Sequence, residues 1–162
     1  MLNASSPLAR LMNAPVRPGV IEWIGVRPER RAPMRVVEAA ELDPAEGVIG
    51  DRYAGKSGSR HVTLIGRADL AAIADFLGLD EVPPDLLRRN IVVSGVNLLA
   101  LKEKRFRLGG ALLEMTGECH PCSRMEEIFG EGGYNAVRGH GGITARVLEG
   151  GEVRLGDALS VL

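Results

Sequence analysis

The sequence has few cysteines, few aromatics and no long apolar run, and each shortage excludes a class of protein. Two cysteines in 162 residues, Cys119 and Cys122, fall short of the four cysteine-type ligands of an iron–sulfur cluster. They stand three apart, and a disulfide across so small a loop would stabilise the fold little, so a chemical use is expected. No stretch approaches the roughly 18 consecutive apolar residues of a membrane-spanning helix, and the opening MLNASSPLARLMNAP lacks a secretory apolar run. A cytoplasmic protein with no membrane partner is expected. A formal charge of -1, from 20 basic and 21 acidic residues, gives no overall field to draw nucleic acid, so any basic site is local.

What is present points to one β-rich domain. The 45% hydrophobic content supports a single core, while 21 glycines with only 4% aromatics describe tight turns between strands of small residues. Residues 1–19 carry Pro, Asn and Ser without a period and read as a tail or loosely docked arm, leaving 20–162 as the domain. β-branched runs predict strands at Val20–Val26, Met34–Ala40, His61–Ile65, Ile91–Val93, Phe106–Leu108, Ala111–Thr116, Ile143–Leu148, Val153–Leu155 and Ala158–Leu162. Leu70, Ile73, Ala74 and Leu77 fall at helical spacing and predict a helix over Arg67–Leu77, stopped by Gly78. A short helical turn is expected from Pro83 to Leu87, and another over Ser123–Phe129.

Two motifs bear on chemistry. Gly50 to Ser57 fits G-x-x-x-x-G-K-S, but a phosphate loop needs a helix after Ser57 to aim its backbone N–H groups, and a strand is predicted instead. Nucleoside triphosphates are therefore not expected to bind, although Lys56 and Arg60 could offer charge to another anion. The second motif, Cys119-His120-Pro121-Cys122, admits three readings: a redox dithiol, half of a zinc site, or one soft sulfur ligand for a metal carried by a cofactor. The pair lies late in a mostly β chain, unlike a thioredoxin, and no second paired spacing supplies the other zinc ligands.

The stretches Arg88-Arg89-Asn90-Ile91-Val92-Val93-Ser94-Gly95, Phe106-Arg107-Leu108-Gly109, Cys119-His120-Pro121-Cys122 and Gly150-Gly151-Glu152-Val153-Arg154-Leu155-Gly156-Asp157 together resemble the MOSC family. Gly50-Asp51 and Arg60-His61-Val62-Thr63-Leu64 are similar to the family's upstream stretch, so the resemblance runs from about residue 20. It implies a β-barrel-like domain of the small stand-alone bacterial type that binds a molybdenum cofactor. It also implies Cys122 as metal ligand or sulfur carrier, with Arg88 and Asn90 as pterin contacts. Arg89 and Thr63 are further candidates on the same resemblance; Arg60 could add charge for an anionic ligand, His120 beside two thiols could raise the thiolate fraction of Cys122, and the loop around His140 could line a ligand. An Arg fork suits a phosphate and an Asn amide suits a pterin edge.

The resemblance implies either reduction of N-hydroxylated compounds with an external electron donor or carriage of sulfur or cofactor on Cys122. Pyridoxal phosphate is not expected on this chain, so sulfur would come from a donor protein. A non-catalytic small-ligand module and a thiol–disulfide oxidoreductase using Cys119 and Cys122 are the alternatives.

Overall fold

The computed structural model describes residues 2–52 and 58–162. In chain order its elements are α1 (Pro7–Met12), β1 (Gly19–Val26), β2 (Arg35–Val37), β3 (Ala39–Asp43), β4 (Gly47–Val48), β5 (Val62–Gly66), α2 (Arg67–Leu77), β6 (Ile91–Ser94), β7 (Arg105–Leu108), β8 (Ala111–Glu118), α3 (Arg124–Phe129), α4 (Gly133–Val137), β9 (Ile143–Glu149), β10 (Gly151–Arg154) and β11 (Ala158–Val161). Short 3-10 turns occupy Gly58–Arg60, Pro84–Leu87 and Leu98–Leu101.

Strand pairing runs β11-β7-β8-β9-β5-β6-β1, and β11 then pairs back onto β1 through Gly19 with Leu159 and Val20 with Ala158. Seven strands thus close into a barrel, which leaves them no free edge except where β2 extends β1. The predicted run Met34–Ala40 divides between two sheets: β2 joins the barrel, whereas β3 pairs with β10 and β4 in a smaller sheet.

Alternation sorts the core into two layers. Val62, Leu64, Ile91 and Val93 point into the barrel, where they meet Ile21, Ile24, Phe106, Leu113 and Val147. Their neighbours Ile65 and Val92 point outward under Leu70, Ile73 and Ala74 of α2 and Met125, Ala136 and Val137 of α3 and α4. Fully burying each Leu or Ile contributes about 1.5–3 kcal/mol, so both layers matter for stability. The helix over Arg67–Leu77 has the predicted bounds, and Gly78 ends it in the left-handed conformation at φ 67°.

Residues 2–18 include a short helix that contacts the barrel domain. Ser6 Oγ accepts from Ala9 N at 3.1 Å to cap α1, Ala9 is buried, and Lys104 Nζ donates to Met12 O. Of the phosphate-loop-like stretch, Tyr53 to Ser57, including Lys56, lie outside the described residues. The chain next forms the Gly58–Arg60 turn and then β5, a strand, as predicted. No helix among the described residues is long and apolar enough to cross a membrane.

Candidate functional site

Residues just outside the strands build the mouth of the barrel. Arg27 follows β1, Asn90 precedes β6, Cys119 follows β8, and Thr63 is the second residue of β5. Arg27 and Asp51 form a bidentate buried pair, Nε to Oδ1 at 3.0 Å and Nη2 to Oδ2 at 2.9 Å, and the Arg27 backbone N–H donates to Oδ1 at 2.8 Å. Asn90 locks this pair to β5. Its Oδ1 accepts from Arg27 Nη2, Thr63 N and Thr63 Oγ1, each at 3.1 Å, while Nδ2 donates to Gly25 O and Asp51 Oδ1 at 3.1 and 3.2 Å.

That network places two of the candidate residues. The Asn90 amide is fully buried and bonds protein partners through both its oxygen and its nitrogen. Thr63 is buried beside it, with Oγ1 accepting from Asn90 N at 2.9 Å. Both residues form the floor that holds Arg27 and Asp51, and neither lines the cavity above.

The cavity has a volume of about 320 Å³ and is walled by Arg27, Arg30, Arg31, Arg52, Arg60, Arg88, Arg89 and Arg124. No acidic residue lines it among the described residues. Arg88 sits in the left-handed conformation at φ 57° and donates from Nη1 to Ala32 O and from Nη2 to Glu29 O at 3.1 Å. These bonds hold the loop that carries Arg31, which is itself left-handed at φ 63°. Arg31 and Arg88, both walling the cavity, thus sit in the left-handed region that side chains seldom adopt.

Arg89 is only 8% exposed; Nε donates to Gly141 O and Nη1 to Leu87 O, both at 2.8 Å. No carboxylate pairs with it among the described residues. Burial, the largest effect, lowers its proton affinity; Cys119 raises it, Arg60 and Arg27 lower it, and Cys122 raises it.

Both cysteines line the same cavity and neither is in a disulfide. Cys119 is buried, with Arg60 Nη2 3.8 Å from its Sγ, whereas Cys122 is exposed at the rim just before Ser123, the residue that precedes α3. His120 lies between them, exposed. The structure therefore gathers Arg60, Arg88, Arg89, His120, Cys119 and Cys122 around one space. Arg27, Arg30, Arg31, Arg52 and Arg124 were not singled out from the sequence. Their one signal is composition: 17 of the 20 basic residues are arginine, the side chain suited to fork-like recognition of phosphate and carboxylate.

A second cavity of about 260 Å³ shares Cys119 and His120 with the first. Into it face Asp69 of α2 and His140 of the loop before β9, joined Oδ1 to Nδ1 at 2.9 Å.

The fold and site together define a closed seven-stranded barrel with an arginine-walled cavity, Cys119 buried in its wall and Cys122 exposed at its rim. The MOSC domain model matches residues 41–160, and the chain belongs to that molybdenum-cofactor-associated domain family. Among solved structures, YuaD from Bacillus subtilis superposes with a TM-score of 0.81 at 21% identity, covering 90% of this chain and 96% of that one. YiiM from Escherichia coli gives 0.67 at 17% identity, with 88% and 69% covered; YiiM from Geobacillus stearothermophilus gives 0.71 at 14%, with 89% and 75% covered. At these identities the likeness establishes the fold. No curated protein matches the chain.

Proposed function

We propose that this protein binds a molybdenum cofactor in the arginine cavity, with the metal at the exposed thiol of Cys122. Arg89 carries the reading. A cation removed from water without a carboxylate partner is completed by an anion, and the phosphate arm of the cofactor is one that this arginine-walled cavity would accept. The remaining donor set fits as well, because a soft thiolate suits a metal centre that also carries sulfur.

On this reading Arg89, Arg88, Arg60 and Arg31 would hold the phosphate, and Cys122 would meet the metal. Bound there, the cofactor would supply two-electron redox chemistry. The Arg27–Asp51–Asn90–Thr63 network keeps the floor rigid beneath it, and His120 stands beside both sulfurs. Electrons for reducing N-hydroxylated compounds, or sulfur for a carrier role, would come from a separate donor protein. The second cavity beside Cys119 favours a catalyst over a carrier, since a carrier needs no room for a substrate.

The test is molybdenum analysis of the protein purified from a cofactor-producing host, alongside Cys122→Ser and Arg89→Gln. Stoichiometric metal in the wild type, and its loss in both variants, supports the reading. Metal-free wild-type protein that also takes up none on reconstitution with cofactor overturns it.

A further inference from the structure

The second cavity is opposite in character to the first. No arginine or lysine lines it among the described residues; its ionisable walls are Asp69, Glu118, His120 and His140, with Cys119 at the boundary. Asp69 projects from the first turn of α2 and holds His140 Nδ1 at 2.9 Å. Asp69 Oδ2 and His140 Nε2 have no hydrogen-bond partner among the described residues, so each keeps a site for a ligand.

The His140 loop is fixed rather than loose. Arg89 Nε holds Gly141 O and Cys119 N donates to Gly142 O, both at 2.8 Å, so the wall between the two cavities is one hydrogen-bonded unit. Asp69, Asn97 and Leu98 also begin a more open groove of about 600 Å³ whose sides include Ala71, Val93 and Val96. Arg67, its one cation, is largely exposed and lies 3.6 Å from Glu22.

We infer that this continuous cleft binds a small organic cation. Its apolar body lies along Val93, Val96 and Leu98, and its protonated nitrogen lies against Asp69 and Glu118 beside Cys119. The two cavities then sort ligands by charge: an anion is drawn to the arginines of the first, and a cation to the carboxylates of the second. That the occupant is the molecule acted on at the cysteines rests on the proposed function; selection of a cation does not.

Benzylamine and benzoate, matched in size and opposite in charge, are the probes, titrated into the metal-free chain. The proton on Cε1 of His140, followed by nuclear magnetic resonance, reports the cleft, and inorganic phosphate read at Arg89 Nε–H reports the arginine cavity. Benzylamine is expected to shift His140 saturably and benzoate to leave it unmoved. Asp69→Asn should weaken the amine about tenfold, the loss of one charge-assisted contact, and leave phosphate binding intact. Glu118→Gln should weaken it in the same direction, and it serves if Asp69→Asn folds poorly. Equal shifts with both probes, no shift with benzylamine, or full affinity in the two variants overturns the inference. Failure to retain molybdenum would leave these titrations unchanged, so the two readings fail separately.

Discussion

Arg89 Nε donates to the carbonyl oxygen of Gly141 at 2.8 Å, across 52 positions of sequence, and the same guanidinium reaches Leu87 O at 2.8 Å. One buried side chain thereby fixes both the turn that enters β6 and the loop that enters β9, with its third nitrogen left for the cavity.

Because that cation is desolvated without a carboxylate, anions should stabilise the folded chain. A ligand that binds only the native state adds about 2.7 kcal/mol at a hundredfold excess over its Kd. Inorganic phosphate should therefore raise the thermal midpoint measured by calorimetry, and in Arg89→Gln the rise should fall to less than half. Equal rises would show that Arg89 does not hold the anion.

Asn90→Ala should destabilise the protein by about 2–4 kcal/mol, since it strips partners from buried Arg27, Asp51, Gly25 and Thr63 together. Urea unfolding measures this. A loss well under about 1 kcal/mol, typical of a surface change, would refute the buried network.

Cys122 and Cys119 should differ in the folded protein. Iodoacetamide should modify exposed Cys122 quickly and Cys119, 4% exposed, only slowly, with mass spectrometry assigning the adduct. Cys122→Ser should abolish molybdenum retention or persulfide loading, while Cys119→Ser keeps much of it. Equal loss in both would move the assignment to thiol–disulfide chemistry, in which each thiol is required.

Acid should weaken the fold through His61. Burial first, then Arg146, lower its proton affinity below the ordinary 6.5, with Asp43 opposing, and Val147 N donates to its Nδ1 at 3.1 Å. Above 6.5 neither state is protonated at this residue and the native contribution is complete. Below it the unfolded chain takes up a proton that the folded one resists. Stability then falls, by at most about 1.4 kcal/mol per pH unit, until the lowered folded value is passed. Urea midpoints across this range should fall less in His61→Gln than in the wild type; parallel curves would exclude His61.

The elements with a period were readable, and those without one were not. Leu70, Ile73 and Ala74 marked α2 because one face of that helix is buried. The two-residue β4 is too short for any alternation, and α4 opens at Gly133 within a glycine-rich stretch that reads as turns. The site shows the same division. Cys119 to Cys122 and Arg88 to Asn90 were visible as clusters. However, the three consecutive residues divide after Arg88, which is left-handed: Arg88 and Arg89 both wall the cavity, Arg88 also tying down the 29–32 loop, whereas Asn90 turns into the barrel floor. Sequence adjacency suggested one shared role, and backbone geometry set Asn90 apart. Arg27 and Asp51 lie 24 residues apart, and nothing in the sequence marks them as a pair.

The seam between β1 and β11 has a consequence for how the protein is made. The first stave of the barrel is joined to a strand that begins at Ala158, so a nascent chain translated at roughly 5–20 residues per second waits on the order of ten seconds between them. About midway through that interval β6 is made and β1 can rest on it, while the edge of β1 that β11 will cover stays open to any strand nearby. Closure of the ring waits for β11 and comes as one event.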